Sequence, residues 1–424
     1  MIVAVAALTK ALTRTSSLAN LTAPLIRYPQ IASLLLRRLP SKMTMEFEIM
    51  KKFCSTDDGR EGLPIREVVK KLESWAPLHL AGSWDKVGLQ VEPSGDSHIV
   101  SRILLTNDLT EAVVGEAVER GPFGMILSYH PPIFRPLKSL TNRTWKERVI
   151  TTCIENRIAV YSPHTAWDAV AGGVNDWLAS AFVTEKVVPL VVSKTWTQPN
   201  PEEAKLTHHV DIVVPNTDEQ LGSFIELLTE CAEEMGTQIH DLRDASDGTK
   251  VITFVCDEEH VSRLVKCVNS WPMKPLHLQF RINKLTQIPL PDFGEGRLCT
   301  LKEQLTLKEV VDAVKSHLHL HHVRLAVAKN HSLGSLVRSV ALCAGSGASV
   351  LAGVDADVLL TGEMGHHDIL EAVHRGSHVI LCDHSNTERG FLHHLVEDKV
   401  LDNLFDGLIE VVMSTHDKEP LHVL

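Results

Sequence analysis

The chain has 424 residues, too many for one hydrophobic core, so two or three domains are expected. Its hydrophobic share of 44% and charged share of 22% are ordinary for a globular protein. A formal charge of −11 argues against a general nucleic-acid binder, which would carry a basic face, and leaves room for no more than a local basic patch.

Residues 1–45 stand apart. They carry Lys10, Arg14, Arg27, Arg37, Arg38 and Lys42, are rich in Ser, Thr, Leu and Ala, and meet no acidic residue until Glu46. This is the composition of a mitochondrial transit peptide; a disordered N-terminus, or translation from Met43 or Met45, is the competing reading. From residue 60 to 195 the text alternates helix and strand, predicting an N-terminal α/β lobe. "IREVVKKLESWAP" has helical spacing, "SRILLTNDLT" is a strand running into Asp108, and "EAVVGEAVERG" is a helix closed by Gly121. "FGMILSYHPP" is a strand ended by prolines, "TWKERVITTCIENR" a helix, and "IAVYSPHTAWD" a strand leading to a polar turn. Short strands separated by helices predict parallel βαβ units.

The Pro-containing stretch "KTWTQPNPEEAK" reads as a boundary. Residues 205–290 then follow the order βαββαβ, the ferredoxin-like split βαβ, an α+β insert without a catalytic cluster. After "IPLPDFGEG" the α/β pattern resumes, predicting a C-terminal α/β lobe over residues 295–424. Its strands are "HHVRLAVAK", "VRSVALCAGSG", "ADVLLTGEM", "HVILCDH" and a final "DGLIEVVMS". The eight cysteines include no CxxC pair and sit mostly in apolar runs, which predicts buried free thiols in a reducing compartment. Every apolar run is too short, or too interrupted by charge, for a membrane span.

In open α/β sheets, ligands gather at the carboxyl ends of parallel strands. Asp108, His130, His164, Asp168, Glu363 and His384 all fall at such exits. His384 and Glu388 are four apart, so on a helix they would share a face and reach one cation. Imidazole with carboxylate suits Zn, Mn or Fe(II) better than Ca or Mg. The bland alternative is a capping box, with Ser385 or Asn386 as the cap and Glu388 near its third position. His130 in "SYHPPIF" could equally be a turn histidine, and Asp168 in "SPHTAWD" a first-turn acid favoured by the helix dipole. The histidines 317, 319, 321 and 322 lack acidic neighbours and read as surface residues, as do the pairs 208/209 and 393/394. "ALCAGSGASVL" is a glycine turn, suited either to tight packing or to an anion on its backbone N–H groups.

"SWDKVGLQVEP", "LTNDLTEAVV", "ILSYHPPIFRP", "NRIAVYSPHTAWDAVAGGVNDWLA", "LCAGSGASVL", "LLTGEMGHHDIL" and "CDHSNTERGFL" together resemble the NIF-three-like family (NGG-one-interacting factor three-like protein), also called the GTP cyclohydrolase I type 2 family. The resemblance runs in order from about residue 63 to the C-terminus and is to the long animal form. It implies a two-lobed α/β fold with an inserted ferredoxin-like domain similar to PII and CutA proteins, and a dinuclear metal site between the lobes. His130, Asp168, His384 and Glu388 match the family's metal ligands, while Tyr129 stands where a further histidine ligand is found and Lys86 replaces an asparagine. One or two divalent ions are therefore expected, with His164 and Glu363 as candidate catalytic or orienting residues. The resemblance further implies a homo-oligomer, dimeric or larger, and a transcriptional corepressor as protein partner; charge and the short apolar runs lead to no expectation of direct nucleic-acid or membrane binding. Location would be mitochondrial if the N-terminus is cleaved, otherwise cytoplasmic and nuclear. Two functions follow: a metal-dependent hydrolase of a nucleotide-like or cyclic amide substrate, or a non-catalytic regulatory adaptor.

Overall fold

The computed structural model describes residues 61–95, 98–195, 207–215, 221–235, 238–270, 278–285 and 288–423. The basic N-terminal segment and Cys54 lie outside these residues. The chain divides into two compact units, one running to Leu190 and resuming at Glu295–Leu424, the other Val191–Gly294.

The first unit contains two main sheets. One has the order β17 (Glu410–Met413), β4 (Arg102–Thr106), β5 (Met125–Ser128), β6 (Ala159–Ser162) and β2 (Gly88–Val91). The first four run parallel, and β2 closes the edge antiparallel to β6. β5 and β6 are buried on both faces, as parallel strands covered by helices must be. Leu104, Ile126 and Val160 meet Val113, Val149 and Ile150 of the covering helices Glu111–Arg120 and Trp145–Glu155 in one core. Thr110 and Thr144 start those helices, each side chain accepting a bond from a backbone N–H three residues on.

The second sheet has the order β13 (Arg324–Ala326), β16 (His378–Leu381), β15 (Val358–Thr361), β14 (Leu336–Cys343), β12 (Ile288–Thr306) and β7 (Thr184–Thr195). β14, β15 and β16 are parallel, with β12 and β13 antiparallel beside them. The small pair β1 (Leu63–Pro64) and β3 (Ile99–Val100) completes the unit. The helix Leu307–His317 opens on a capping box of Thr306 and Glu309, and His366–Arg375 ends on Gly376 at φ 103°.

Strand membership crosses the two halves of the sequence. β7 lies in the second half's sheet, and the last strand, β17, returns to the first half's sheet beside β4. β7 carries Pro189, which an edge strand tolerates because the missing N–H faces no partner. Register then aligns the exits. Thr106 pairs Ser128 and Leu127 pairs Tyr161 in one sheet, while Cys343, Thr361 and Leu381 lie level in the other.

The unit Val191–Gly294 holds an antiparallel sheet of order β11 (Gln279–Lys284), β8 (His208–Pro215), β10 (Thr249–Cys256), β9 (Asp241–Asp244). Its helices are Leu221–Glu234 and Glu258–Ser270. This is the ferredoxin-like arrangement, cored by Val210, Ile212, Phe224, Leu228, Phe254 and Leu264. Here the reading of uniformly free thiols is corrected, because Cys231 and Cys267 of the two helices form a disulfide. Cys153, Cys256, Cys299, Cys343 and Cys382 are free and buried. Apolar surroundings signal burial of a cysteine, but pairing across 36 residues depends on two helices facing each other. Among the described residues, no helix is long and apolar enough to cross a membrane.

Candidate metal centre

The strand ends place His130, His384 and Glu388 together, with one ligand atom of each within 4.8 Å of the others. His130 lies two residues past β5, and its backbone is fixed from two sides. Its N–H donates to Asn107 at 2.9 Å, and its carbonyl accepts from the hydroxyls of Ser128 and Ser162 at 2.7 and 3.2 Å. His384 follows β16 after Asp383, which is held at φ 65°. A short turn, Ser385–Thr387, precedes the helix Arg389–Glu397. Glu388 is the residue before that helix, and its side chain makes no capping bond. The capping-box alternative therefore fails; the carboxylate, 3% exposed, turns inward instead.

Glu388 stands between the imidazoles. Its Oε2 is 3.4 Å from His130 Nε2 and its Oε1 is 3.3 Å from His384 Nε2. The other ring nitrogens are both taken by carboxylates. His130 Nδ1 meets Asp108 at 2.9 Å, and His384 Nδ1 meets Glu363 at 3.1 Å. A carboxylate on Nδ1 fixes ring orientation and raises the basicity of Nε2, which is how metal-binding histidines are commonly supported. Asn107, fully buried, donates from Nδ2 to Glu388 Oε2 at 3.2 Å, while its Oδ1 has no protein partner. This donor set could hold a metal ion.

Asp168 stands outside that trio. The Tyr129 phenol donates a hydrogen bond to its carboxylate, and Tyr129 is 1% exposed. Burial raises the Asp168 pKa to about 7 against the opposing pull of His164 and Tyr129. Burial, with the Asp168 charge beside it, also pushes Tyr129 well above the ordinary phenol range, so the phenol keeps its proton.

His164 repeats the supported-histidine pattern. Its Nδ1 lies 2.7 Å from Asp85, whose carboxylate also accepts from Thr165 N–H and Oγ1 and from Lys86 N–H. Burial opposes ionisation of Asp85, but His164 and these bonds hold its pKa low. His164 sits at φ 37°, an uncommon conformation for a residue with a side chain. Its ring lies 5.2 Å from that of His130 and is flanked by Trp84 and Phe134 at 6.0 and 6.4 Å. Lys86 contributes its backbone here and its side chain is exposed, so a lysine in place of asparagine leaves the arrangement intact.

The glycine turn proves to be a wall of this site. Its N–H groups at Ala344, Gly345 and Gly347 donate to Asn175, Thr387 and Thr361, which fills them with side-chain acceptors. In the histidine tract, His319, His321 and His322 are exposed, but His317 is half-buried against Trp177, with ring centroids 4.7 Å apart. His208 is also buried rather than on the surface. Sequence reading missed Asn107, Asp85 and Gly345 as parts of the site. All three lay inside recognised motifs, yet only folding brings them to the histidines.

Charge gives the site a pH signature. Burial disfavours a proton on His130, but Glu388 and Asp108 outweigh it and raise the pKa to about 10. The Glu388 hydrogen bond leads in raising His384 to about 9. Both imidazoles are therefore protonated near neutrality without an ion, and Glu388, despite its burial, stays ionised between them. In the metal-free protein the raised values contribute stability that is complete below the unfolded value of 6.5 and lost as pH rises through about 9 and about 10. Ligation needs neutral nitrogens, so uptake of an ion at pH 8 is expected to release about two protons. Calorimetry in buffers of different ionisation enthalpy measures that number, and zero release would contradict ligation by the two histidines.

Relatives agree with the architecture. Residues 63–420 match the Duf34/NIF3 (NGG1p interacting factor 3) family. NIF3-like protein 1 of Bos taurus is 42% identical over 366 residues, covering 86% of this chain and 94% of its own. NGG1-interacting factor 3 of Saccharomyces cerevisiae is 28% identical over 369 residues, covering 84% and 96%. Among solved structures, a Staphylococcus aureus protein superposes with TM-score 0.59 at 25% identity, covering 86% of this chain and 99% of its own. A Bacillus cereus protein related to NIF3 gives 0.56 at 24%, covering 86% and 100%. With a match spanning both halves of the first unit and the unit between them, the chain belongs to the Duf34/NIF3 family.

Proposed function

We propose that the protein is a divalent-metal-dependent hydrolase holding a single ion on His130, His384 and Glu388. One observation carries the reading: two histidines, each fixed at Nδ1 by a carboxylate, turn Nε2 toward one shared buried carboxylate. A single ion, rather than two, is supported by the bond that commits Asp168 to the Tyr129 phenol. A divalent cation supplies Lewis acidity at such a site. The chain's own residues do the rest. Asp108 and Glu363 orient the ligand rings, and Glu388 balances charge. His164, held by Asp85, offers Nε2 as the group that accepts and returns a proton. Trp84, 58% exposed, and Phe134 present apolar surface beside it, which suits a nucleotide-like or cyclic amide substrate.

Elemental analysis of purified protein tests the site. Wild type is expected to hold a single Zn, Mn or Fe ion per chain, and His384→Ala and Glu388→Ala to lose it. Unchanged metal in both variants would remove the assignment. A screen of phosphoesters, nucleotides and cyclic amides with each metal supplied then tests catalysis, with Glu388→Ala as the blank. The second reading, a regulatory adaptor, draws its support from the yeast relative's name as an NGG1-interacting factor. A metal-loaded protein inert to the whole screen, and recovered with a corepressor-type partner, would favour it.

A further inference from the structure

We propose that residues 414–419, following β17, form a strap that positions the metal cluster, with Asp417 as its positioning residue; this rests on the metal-binding reading above. The strap is anchored at its start. Glu116, 3% exposed on the helix Glu111–Arg120, accepts from the Ser414 hydroxyl and from the Thr415 N–H and hydroxyl at 3.0 and 2.8 Å. Beyond that anchor the segment grips both sequence halves of the candidate site.

Asp417 is the centre of the grip, with a side chain 2% exposed. Its Oδ2 accepts from the Asn107 N–H at 2.9 Å and from Arg389 Nε at 3.2 Å. Its Oδ1 accepts from the Asp108 N–H and Arg389 Nη2, each at 3.4 Å. Two residues on, the Glu419 carboxylate accepts from the Ser385 hydroxyl, which also accepts from Arg389 Nη1 at 2.9 Å. A buried carboxylate that receives a guanidinium and two backbone N–H groups defines their positions closely.

The gripped residues are those that touch the ligands. Asp108 holds His130 Nδ1, and Asn107 Nδ2 reaches Glu388 Oε2. Ser385 and Arg389 immediately follow His384 and Glu388 in the chain. β4 ends at Thr106, so Asn107 and Asp108 lie past its last ladder pair, and Asp417 supplies acceptors for their N–H groups. Without it, the carboxylate that orients His130 would hang from a loop with two unanswered donors. The strap thus joins the His130 side of the cluster to the His384–Glu388 side through side chains outside the candidate ligand set.

The experiment titrates Co2+ into the full chain and follows its visible absorption. Asp417→Asn is expected to weaken Co2+ binding on the order of 10-fold or more, the usual effect of losing a group that orients a ligand. The absorption envelope should change too, because His130 turns. Asp108→Asn alone should weaken binding similarly, and the double variant should lose less than the product of the two single effects, since Asp417 acts in part through Asp108. Arg389→Lys, which keeps the charge but loses the fork, should weaken binding in the same direction and serves if Asp417→Asn does not fold. Wild-type affinity in both Asp417→Asn and Arg389→Lys, or effects of Asp417→Asn and Asp108→Asn that multiply in full with an unchanged spectrum, would overturn the proposal. Wild-type protein that takes up no Co2+ would overturn the metal reading itself, a result distinct from these.

Discussion

Gly345→Ala is expected to weaken metal binding on the order of 100-fold, as much as loss of a ligand's supporting group. Gly345 sits at φ 63°, where a side chain is strained, and a Cβ there would lie 2.5 Å from Glu388 Oε1 and 3.1 Å from His384 Nε2. Those two atoms face each other across the candidate ligand cluster. The backbone cannot retreat easily, because the Gly345 N–H is bonded to Thr387 and its carbonyl accepts from the Glu363 N–H and the Thr361 hydroxyl. The methyl must therefore displace the carboxylate. Gly353→Ala is the control: at φ 77° it carries similar backbone strain, but its Cβ meets nothing nearer than Arg375 Nη1 at 3.8 Å. It should cost about 1 kcal/mol of stability and leave the metal in place. Metal titration and denaturant unfolding of the two variants separate crowding from strain; equal metal affinity in both would show that Gly345 has no part in the site.

Asp176→Ala is expected to destabilise the first unit by about 3–5 kcal/mol, a fall in midpoint on the order of 10 °C. Arg297, 1% exposed on β12, directs Nε and Nη2 to Asp176 at 2.6 and 2.9 Å, with Nη1 on the Gly296 carbonyl and Nη2 near the Val170 carbonyl. Removing the acid takes from this buried guanidinium the carboxylate that receives its Nε and Nη2. Arg297→Met should cost less, roughly half as much, because Asp176 is 28% exposed and can be hydrated when left alone. Thermal and urea unfolding give the order. A larger loss for Arg297→Met would mean that packing of the arginine stem, rather than charge, dominates.

Legibility followed the range of the physical signal. The strands at 102–106, 125–128, 159–162, 358–361 and 378–381 are short apolar runs between helical patterns, and they form where that pattern puts them. β7 gave less signal, since an edge strand of mixed exposure with a proline has neither continuous burial nor alternation. The β17 strand was readable as a strand, but not as a partner of β4, because the parallel ladder joins residues about three hundred positions apart.

The same division holds at the site. His130 and His384 were legible as candidates because each follows a strand end beside turn residues, and Glu388 because it stands four residues after His384; the order of the strands places such exits together. The choice between capping box and inward carboxylate was not legible, since both use the same spacing; it was decided by the turn Ser385–Thr387, which delays the helix and turns Glu388 into the interior. Tyr129 was visible as an unusual residue, but its commitment to Asp168 required two exits to meet. Asp417 carried no signal at all, as an acid in an exposed-looking tail. By itself the sequence determined the strand and helix order, which rest on local periodicity, and the family, which rests on its motifs; the resemblance then named His130, Asp168, His384 and Glu388 as candidate ligands, of which three are grouped. Tertiary structure alone decided which sheet each end strand joins, which carboxylates orient the histidines and which glycine must stay bare, because those depend on contacts between residues far apart in the chain.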